Sequence, residues 1–216
     1  VELARTWDER LAERLVLAHG EARGRELAGR YAPLLPDYYK SAADVAQAIL
    51  DVDRFEELAG SEEPFVVGLH NERGAGERLT RVGLYRRGGK ISLSDFVPIL
   101  ESLGLRVVEE VMTRLQGGTE PIFLHDFGVL DASGQALDLD AVGSRVGDCV
   151  AAIWRGEAEL DSLNRLVVGA GLDWRQVAIL RAYRKYRQRV SPAFTEEYQN
   201  DAFAANPAIA AALVAY

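Results

Sequence analysis

The chain has 216 residues, 48% hydrophobic and 27% charged, the composition of an ordinary globular protein. Its formal net charge is −8 and its pI is near 5.0, which argues against a free nucleic-acid binder, usually basic overall. There is no apolar run of the roughly 20 residues a membrane span needs and no basic-then-apolar leader, so neither membrane nor nucleic acid is expected as a partner.

Residues 1 to about 60 read as a helical segment. Trp7, Leu11 and Leu15 recur every four residues as an apolar stripe. "YAPLLPDYY" breaks the pattern with Pro33 and Pro36. Ser41 and Asp44 stand where a cap would, and Val45, Ile49 and Val52 give the next helix its inward face.

The period changes at residue 64. In "PFVVGLH", Phe65, Val67 and Leu69 alternate, and "NERGAGE" follows as a glycine-rich hairpin loop. In "LTRVGLYRR", Thr80, Val82 and Leu84 alternate with Arg81, Gly83 and Tyr85. Phe96, Ile99, Leu100 and Leu103 then form a helix stripe that Gly104 ends. "LRVVEEV" and "PIFLHDFGVL" predict two more strands. Leu139, Val142, Val146, Cys149 and Ile153 share one face of a helix. The pattern is ββαββα, an α+β module at 61–157 whose four-stranded antiparallel sheet carries helices on one face, a cyclic reordering of the ferredoxin-like layout. ACT-type domains use the same kind of sheet.

A second helical segment covers 158–216. Asp173 is the expected N-cap of its main helix, Pro192 its end, and Asn206–Pro207 the start of the last one. The chain opens on Val1 and closes inside an apolar helix, "ANPAIAAALVAY", which predicts a piece of a longer polypeptide. The single cysteine, Cys149, reads as a small buried hydrophobe and fits a reducing cytoplasm.

The chemical motifs fail on spacing. A phosphate loop ending at Gly89–Lys90 needs glycine at 84 and a hydroxyl at 91, where Leu84 and Ile91 stand. "GAGERL" has Leu79 in place of a dinucleotide fingerprint's third glycine, and a strand follows it. His19, His70 and His125 have no metal-ligand spacing, and strand alternation sends His125 and Asp126 to opposite faces. No catalytic, cofactor-binding or metal-ligating residue is therefore assigned. The turn before the module's helix remains open as a weak anion site, with Lys90, Ser92, Ser94 and Asp95 around backbone N–H groups at the helix start. The competing reading is a plain strand-to-helix connection capped by Ser92 or Ser94.

Six basic residues, Arg175, Arg181, Arg184, Lys185, Arg187 and Arg189, occur with no acid between Trp174 and Val190. On a helical wheel Ile179, Tyr183, Tyr186 and Val190 form an apolar stripe, with Arg181, Arg184 and Lys185 opposite. That basic face is expected to meet water or acids such as those of "DVDRFEE" or "GEAELD", within the chain or across an interface; the alternatives are an anionic ligand or cofactor in another part of a longer polypeptide, or nucleic acid.

"LYRRGGKISLSDFVPILESLGLRVVEE", "PIFLHDFGVLD", "AAIWRGEAELDSLNRLVVGAGLDWRQVAILRAYRKYRQRV" and "FTEEYQNDAFAANPAIAAALV" resemble segments of the large bacterial NAD-specific glutamate dehydrogenases. "TWDERLAERLVLAHGEARGRELAGRYAPLLPDYY" resembles the helical stretch just before them, so the likeness covers essentially the whole chain. One departure is "EEVMTRLQGG", where a proline is expected near Met112. The resemblance implies an ACT-like module with flanking helices, N-terminal to a catalytic domain that is not among these residues. It implies a parent homo-oligomer that converts L-glutamate, water and NAD+ to 2-oxoglutarate, ammonia and NADH. It carries no catalytic residue onto any position here. The expected role is subunit or domain packing, with Arg181, Arg184 and Lys185 as interface residues; the alternative is a sensor of an amino acid or small anion at Lys90.

Overall fold

The computed structural model describes residues 5–72, 78–117, 120–190 and 193–215. The hairpin loop expected at "NERGAGE" falls mostly at 73–77, and Pro192 also lies outside the described residues. Four strands, β1 (Phe65–Asn71), β2 (Thr80–Arg87), β3 (Arg106–Arg114) and β4 (Ile122–Leu130), form one antiparallel sheet in the order β1-β2-β4-β3. The chain divides into two compact units, each taking part of every strand.

The first unit comprises Val1–Val66, Gly83–Lys90 and Val111–Asp126. Its helices are α1 (Trp7–His19), α2 (Glu21–Tyr31), α3 (Asp37–Ala42) and α4 (Val45–Gly60). Thr6 and Glu9 close a reciprocal capping box that starts α1. Leu11 and Leu15 of the predicted stripe are fully buried. At Gly24 a methyl group would stand 2.4 Å from the Cα of Val16, so α1 and α2 touch backbone to backbone where only glycine fits. Asp44 accepts from Gln47 N at 2.7 Å and caps α4, whereas Ser41 turns back to bond the Asp37 carbonyl inside α3 and caps nothing. The buried face of α4 is Ala48, Asp51, Val52, Phe55 and Leu58; the expected Val45 and Ile49 are only half buried. Phe55 rotates the helix to that face. Its ring lies between Tyr31 (5.8 Å, stacked) and Tyr85 (5.3 Å, edge-on).

That contact also corrects the one-sided sheet. Val82 and Leu84 are buried on one face of β2, and Tyr85, on the other, is buried by Phe55. A single tyrosine out of phase with the apolar alternation marks a strand covered twice.

The second unit comprises Val67–Val82, Ile91–Glu110 and Phe127–Tyr216. It holds α5 (Leu93–Ser102), α6 (Leu139–Trp154), a 3-10 turn (Ser162–Asn164), α7 (Arg165–Gly169), α8 (Trp174–Val190), α9 (Glu196–Ala205) and α10 (Pro207–Val214). The α5 stripe is buried as expected, and Phe96 stacks on Phe127 (5.0 Å) with Trp154 edge-on (5.5 Å). Gly104 ends the turn at φ +79°, a conformation other residues rarely adopt. Val146, Cys149 and Ile153 are buried along α6, and burial pushes the Cys149 thiol up to about 12. Thr80 donates to Asn71 and accepts from Leu137 N, while Asn71 donates to the Leu137 carbonyl, which pins the segment after β4 to β1 and β2. No helix among the described residues is long and apolar enough to cross a membrane.

Candidate functional site

The basic helix α8 is positioned by its N-cap. Asp173 accepts from Gln176 N at 2.8 Å and Gln176 returns the bond to Asp173 N at 3.0 Å. From that start, Val177, Leu180, Arg181 and Arg184 turn to the interior at i, i+3, i+4 and i+7. Arg181 is 3% exposed and Arg184 2%. The apolar stripe faces outward, since Ile179, Tyr183, Tyr186 and Val190 are 45%, 56%, 70% and 68% exposed.

This orientation has an electrostatic cause. Asp161, at the end of "GEAELD", accepts from Arg181 through both oxygens (2.9 and 2.8 Å) and from Arg184 at 3.2 Å. Asn164 takes a further Arg181 hydrogen at 3.1 Å, and Asn200 takes one from Arg184 at 2.7 Å. Glu196 lies 3.4 Å from Arg184. Lys185 reaches Glu159 at 2.5 Å on the exposed rim. Burial raises the Asp161 pKa, but the Arg181 hydrogen bond, the Arg181 and Arg184 charges and the Leu163 N–H outweigh it and hold the carboxyl below the usual range. Two buried cations thus share one carboxylate, and α8, α9 and the 3-10 turn are locked together by it. Of the two acidic segments named from sequence, "GEAELD" is the one engaged; Asn164 and Asn200 carried no sequence signal, because nothing in composition distinguishes a buried amide from a surface one.

The first unit buries a charge of the other sign. Asp51 is 1% exposed and accepts from Tyr85 (2.6 Å), Gln47 (2.9 Å) and Tyr39. Burial pushes its pKa up, and the three neutral donors only partly offset that. Both tyrosine hydroxyls are driven well upward by burial and by the neighbouring Asp51 charge. The signal for Asp51 was its place in the stripe of Ala48, Val52 and Phe55.

The turn before α5 is different in kind. Lys90, Ser92, Ser94 and Asp95 are all exposed. Ser92 occupies the N-cap position, yet its side chain bonds no helix N–H; the Ser92 and Ser94 hydroxyls bond each other at 2.6 Å. Asp95 places a negative charge in the first turn, where an anion would sit. A separate cleft of about 410 Å³ is lined by Tyr38, Arg114, Leu115, Gln116 and Gly117. Among the described residues no group of three or more His, Cys, Asp or Glu could hold a metal ion.

Comparison with known families decides what these units are part of. Family models for glutamate dehydrogenase match the chain at three places: helical motif 2 at 14–58, the ACT3 domain at 64–142 and helical motif 3 at 158–216. The chain belongs to the glutamate dehydrogenase family. It is 32% identical to the NAD-specific glutamate dehydrogenase of Halomonas elongata, 33% to that of Pseudomonas aeruginosa and 32% to that of Mycobacterium tuberculosis, in each case over 99% of this chain. It spans only 13% of the length of these relatives. Within the glutamate dehydrogenase layout Asp51 falls in helical motif 2, Lys90 in the ACT3 domain, and Arg181, Arg184 and Lys185 in helical motif 3.

The described residues do not fit NAD. A dinucleotide rests on the helix N-terminus of a βαβ unit whose strands are parallel neighbours. Here β4 separates β2 from β3, the sheet is antiparallel, and the helix after the glycine turn opens with Asp95.

Proposed function

We propose that this chain is a non-catalytic packing segment of an NAD-dependent glutamate dehydrogenase polypeptide. The parent would convert L-glutamate, water and NAD+ to 2-oxoglutarate, ammonia and NADH, as a cytoplasmic homo-oligomer. Its functional divisions are a helical segment at 1–60, an ACT-like module at 61–157 and a helical segment at 158–216. The observation that carries the reading is the match itself: ACT3 and helical motifs cover 14–58, 64–142 and 158–216, and 99% of the chain aligns with 13% of each relative. What the segment invests in is rigidity. Its buried charges, Asp51 and the Arg181–Arg184–Asp161 cluster, are bonded to protein groups.

Of the three expected interface residues, Arg181 and Arg184 act from inside, by fixing the helical motif; Lys185 stands on its surface. The test is made in the full-length enzyme. Asp161→Ala should weaken assembly, read by light scattering, and lower glutamate-dependent NADH formation in proportion, with KM for glutamate unchanged in the assembled fraction. Assembly at the wild-type level with normal activity would sink the packing role. Residues 1–216 alone should form no NADH. Amino-acid sensing at the α5 turn predicts instead that Lys90→Ala abolishes an effector response; an unchanged response removes it.

A further inference from the structure

We propose that the outward face of α8 is the docking strip for an acidic amphipathic helix belonging to the parent polypeptide outside residues 1–216. The proposal deepens the packing role and rests on it. Ile179, Tyr183, Tyr186 and Val190 are spaced by four, three and four residues, the repeat of a seam between two helices. They span three turns, about 16 Å. Each is about half exposed or more. Four large apolar side chains in one line at that exposure form a patch that single surface hydrophobes do not.

These residues are not a displaced part of this unit's own core. The opposite side of the same helix, Val177, Leu180, Arg181 and Arg184, is buried and hydrogen-bonded in place by Asp161, Asn164 and Asn200. Rolling the helix to bury the tyrosines would strip two guanidiniums of those partners, the costliest kind of buried loss. The strip is thus held outward by the interior.

Charge selects the occupant. Arg187 and Arg189 flank the seam on either side and Arg175 lies at its start, all exposed, and α8 contains no acid. In paired helices the flanking positions choose the partner through opposite charge. A second copy's α8 would bring arginine to arginine. A helix with its own apolar seam and flanking carboxylates satisfies both features. Next along the chain, Phe194 and Tyr198 stack at 4.9 Å while both remain exposed, and Arg187 sits over the Phe194 ring at 5.2 Å, which extends the aromatic surface from α8 onto α9. The parent has room for such a partner, since the relatives are several times longer than this chain.

The experiment places photoreactive benzoylphenylalanine at position 186 of the full-length enzyme and maps the cross-linked peptides by mass spectrometry. Position 17, a leucine 73% exposed on α1, serves as the background site. The expected product joins position 186 to an acid-flanked amphipathic helix outside residues 1–216, at several-fold the yield at position 17. Adding Arg187→Glu and Arg189→Glu should return that yield to background; both side chains are at the surface, so circular dichroism should show the fold retained. Cross-links into residues 1–216 of a second copy, into a segment lacking acids, or only at background yield overturn the proposal. If Asp161→Ala disrupts assembly while the cross-link lands elsewhere, the packing role stands and this partner falls.

Discussion

The two units bury charge in opposite ways. In the first, one carboxylate, Asp51, is surrounded by neutral donors: two tyrosine hydroxyls and an amide. In the second, two guanidiniums close on one carboxylate, Asp161, and two side-chain amide oxygens each accept one further hydrogen. Both arrangements are held by hydrogen bonds, yet their electrostatics differ in sign. Asp51 has no cation among its bonded partners, so ionisation there works against burial and its pKa rises. Asp161 is ionised to advantage, and its pKa falls despite burial. Hydrogen bonding alone makes a buried charge tolerable; a buried counter-charge makes it a source of stability that depends on remaining ionised.

The largest test of that contrast is Asp161→Ala. It leaves Arg181 and Arg184 buried without their shared acceptor, in a cluster where Arg184 Nε already finds none. Removing one partner of a buried pair costs about 3–5 kcal/mol, which urea denaturation would read as a large fall in midpoint. Asp161→Met with Arg181→Met and Arg184→Met, removing all three charges together, should recover much of the loss. If the triple variant is as unstable as the single one, unpaired charge is not the cause.

The pH dependence should separate the units next. Asp161 has a folded pKa below its unfolded value, so its contribution is present above the ordinary aspartate range and is lost as pH falls through the depressed value. Asp51 has a folded pKa above its unfolded value of 3.8, so its contribution is fully present below that value and is lost as pH rises through the raised one. Stability measured from pH 3 to 7 should therefore rise less steeply in Asp161→Asn than in the parent chain, and more steeply in Asp51→Asn. Parallel curves for all three proteins would deny the distinction.

Tyr85→Phe is a smaller perturbation of the first unit. The ring keeps its edge on Phe55, and only the hydroxyl donated to Asp51 is lost. Leaving a buried acceptor short of one donor costs about 1–3 kcal/mol. The cost should shrink at low pH, where a protonated Asp51 needs fewer donors. A cost independent of pH would place it in packing.

The element order, the antiparallel sheet, the α5 and α6 faces and the Asp173 cap were legible in the sequence, because each follows from local period or a capping residue. What failed was orientation. Period finds the two faces of α8 but does not say which is inside; the salt-bridged arginines hold it, and Ile179, Tyr183, Tyr186 and Val190 face outward. A carboxylate 20 residues from Arg181 decided that, a tertiary fact that no window along α8 contains. Asp51 and Tyr85 have the same character, each breaking the pattern of its own element and explained by a contact with the other. The family was legible from long matching segments, while the anion turn at Lys90 rested on composition, and the structure gives it two hydroxyls bonded to each other and an exposed acid.

The smallest effect belongs to Lys185→Ala. Lys185 lies one residue beyond Arg184 and reaches Glu159 at 2.5 Å, but both side chains are about half exposed. Water screens such a pair, and its worth is about 0–1 kcal/mol, against the several expected one residue away at the buried cluster. The same charge, on the same turn of α8, thus differs in consequence because one face is dry. Stability of Lys185→Ala within a few tenths of a kcal/mol of the parent chain would confirm that burial sets the scale. A loss comparable to that of Asp161→Ala would mean that Glu159 belongs to the buried network and that the boundary between rim and core lies one helical turn further out.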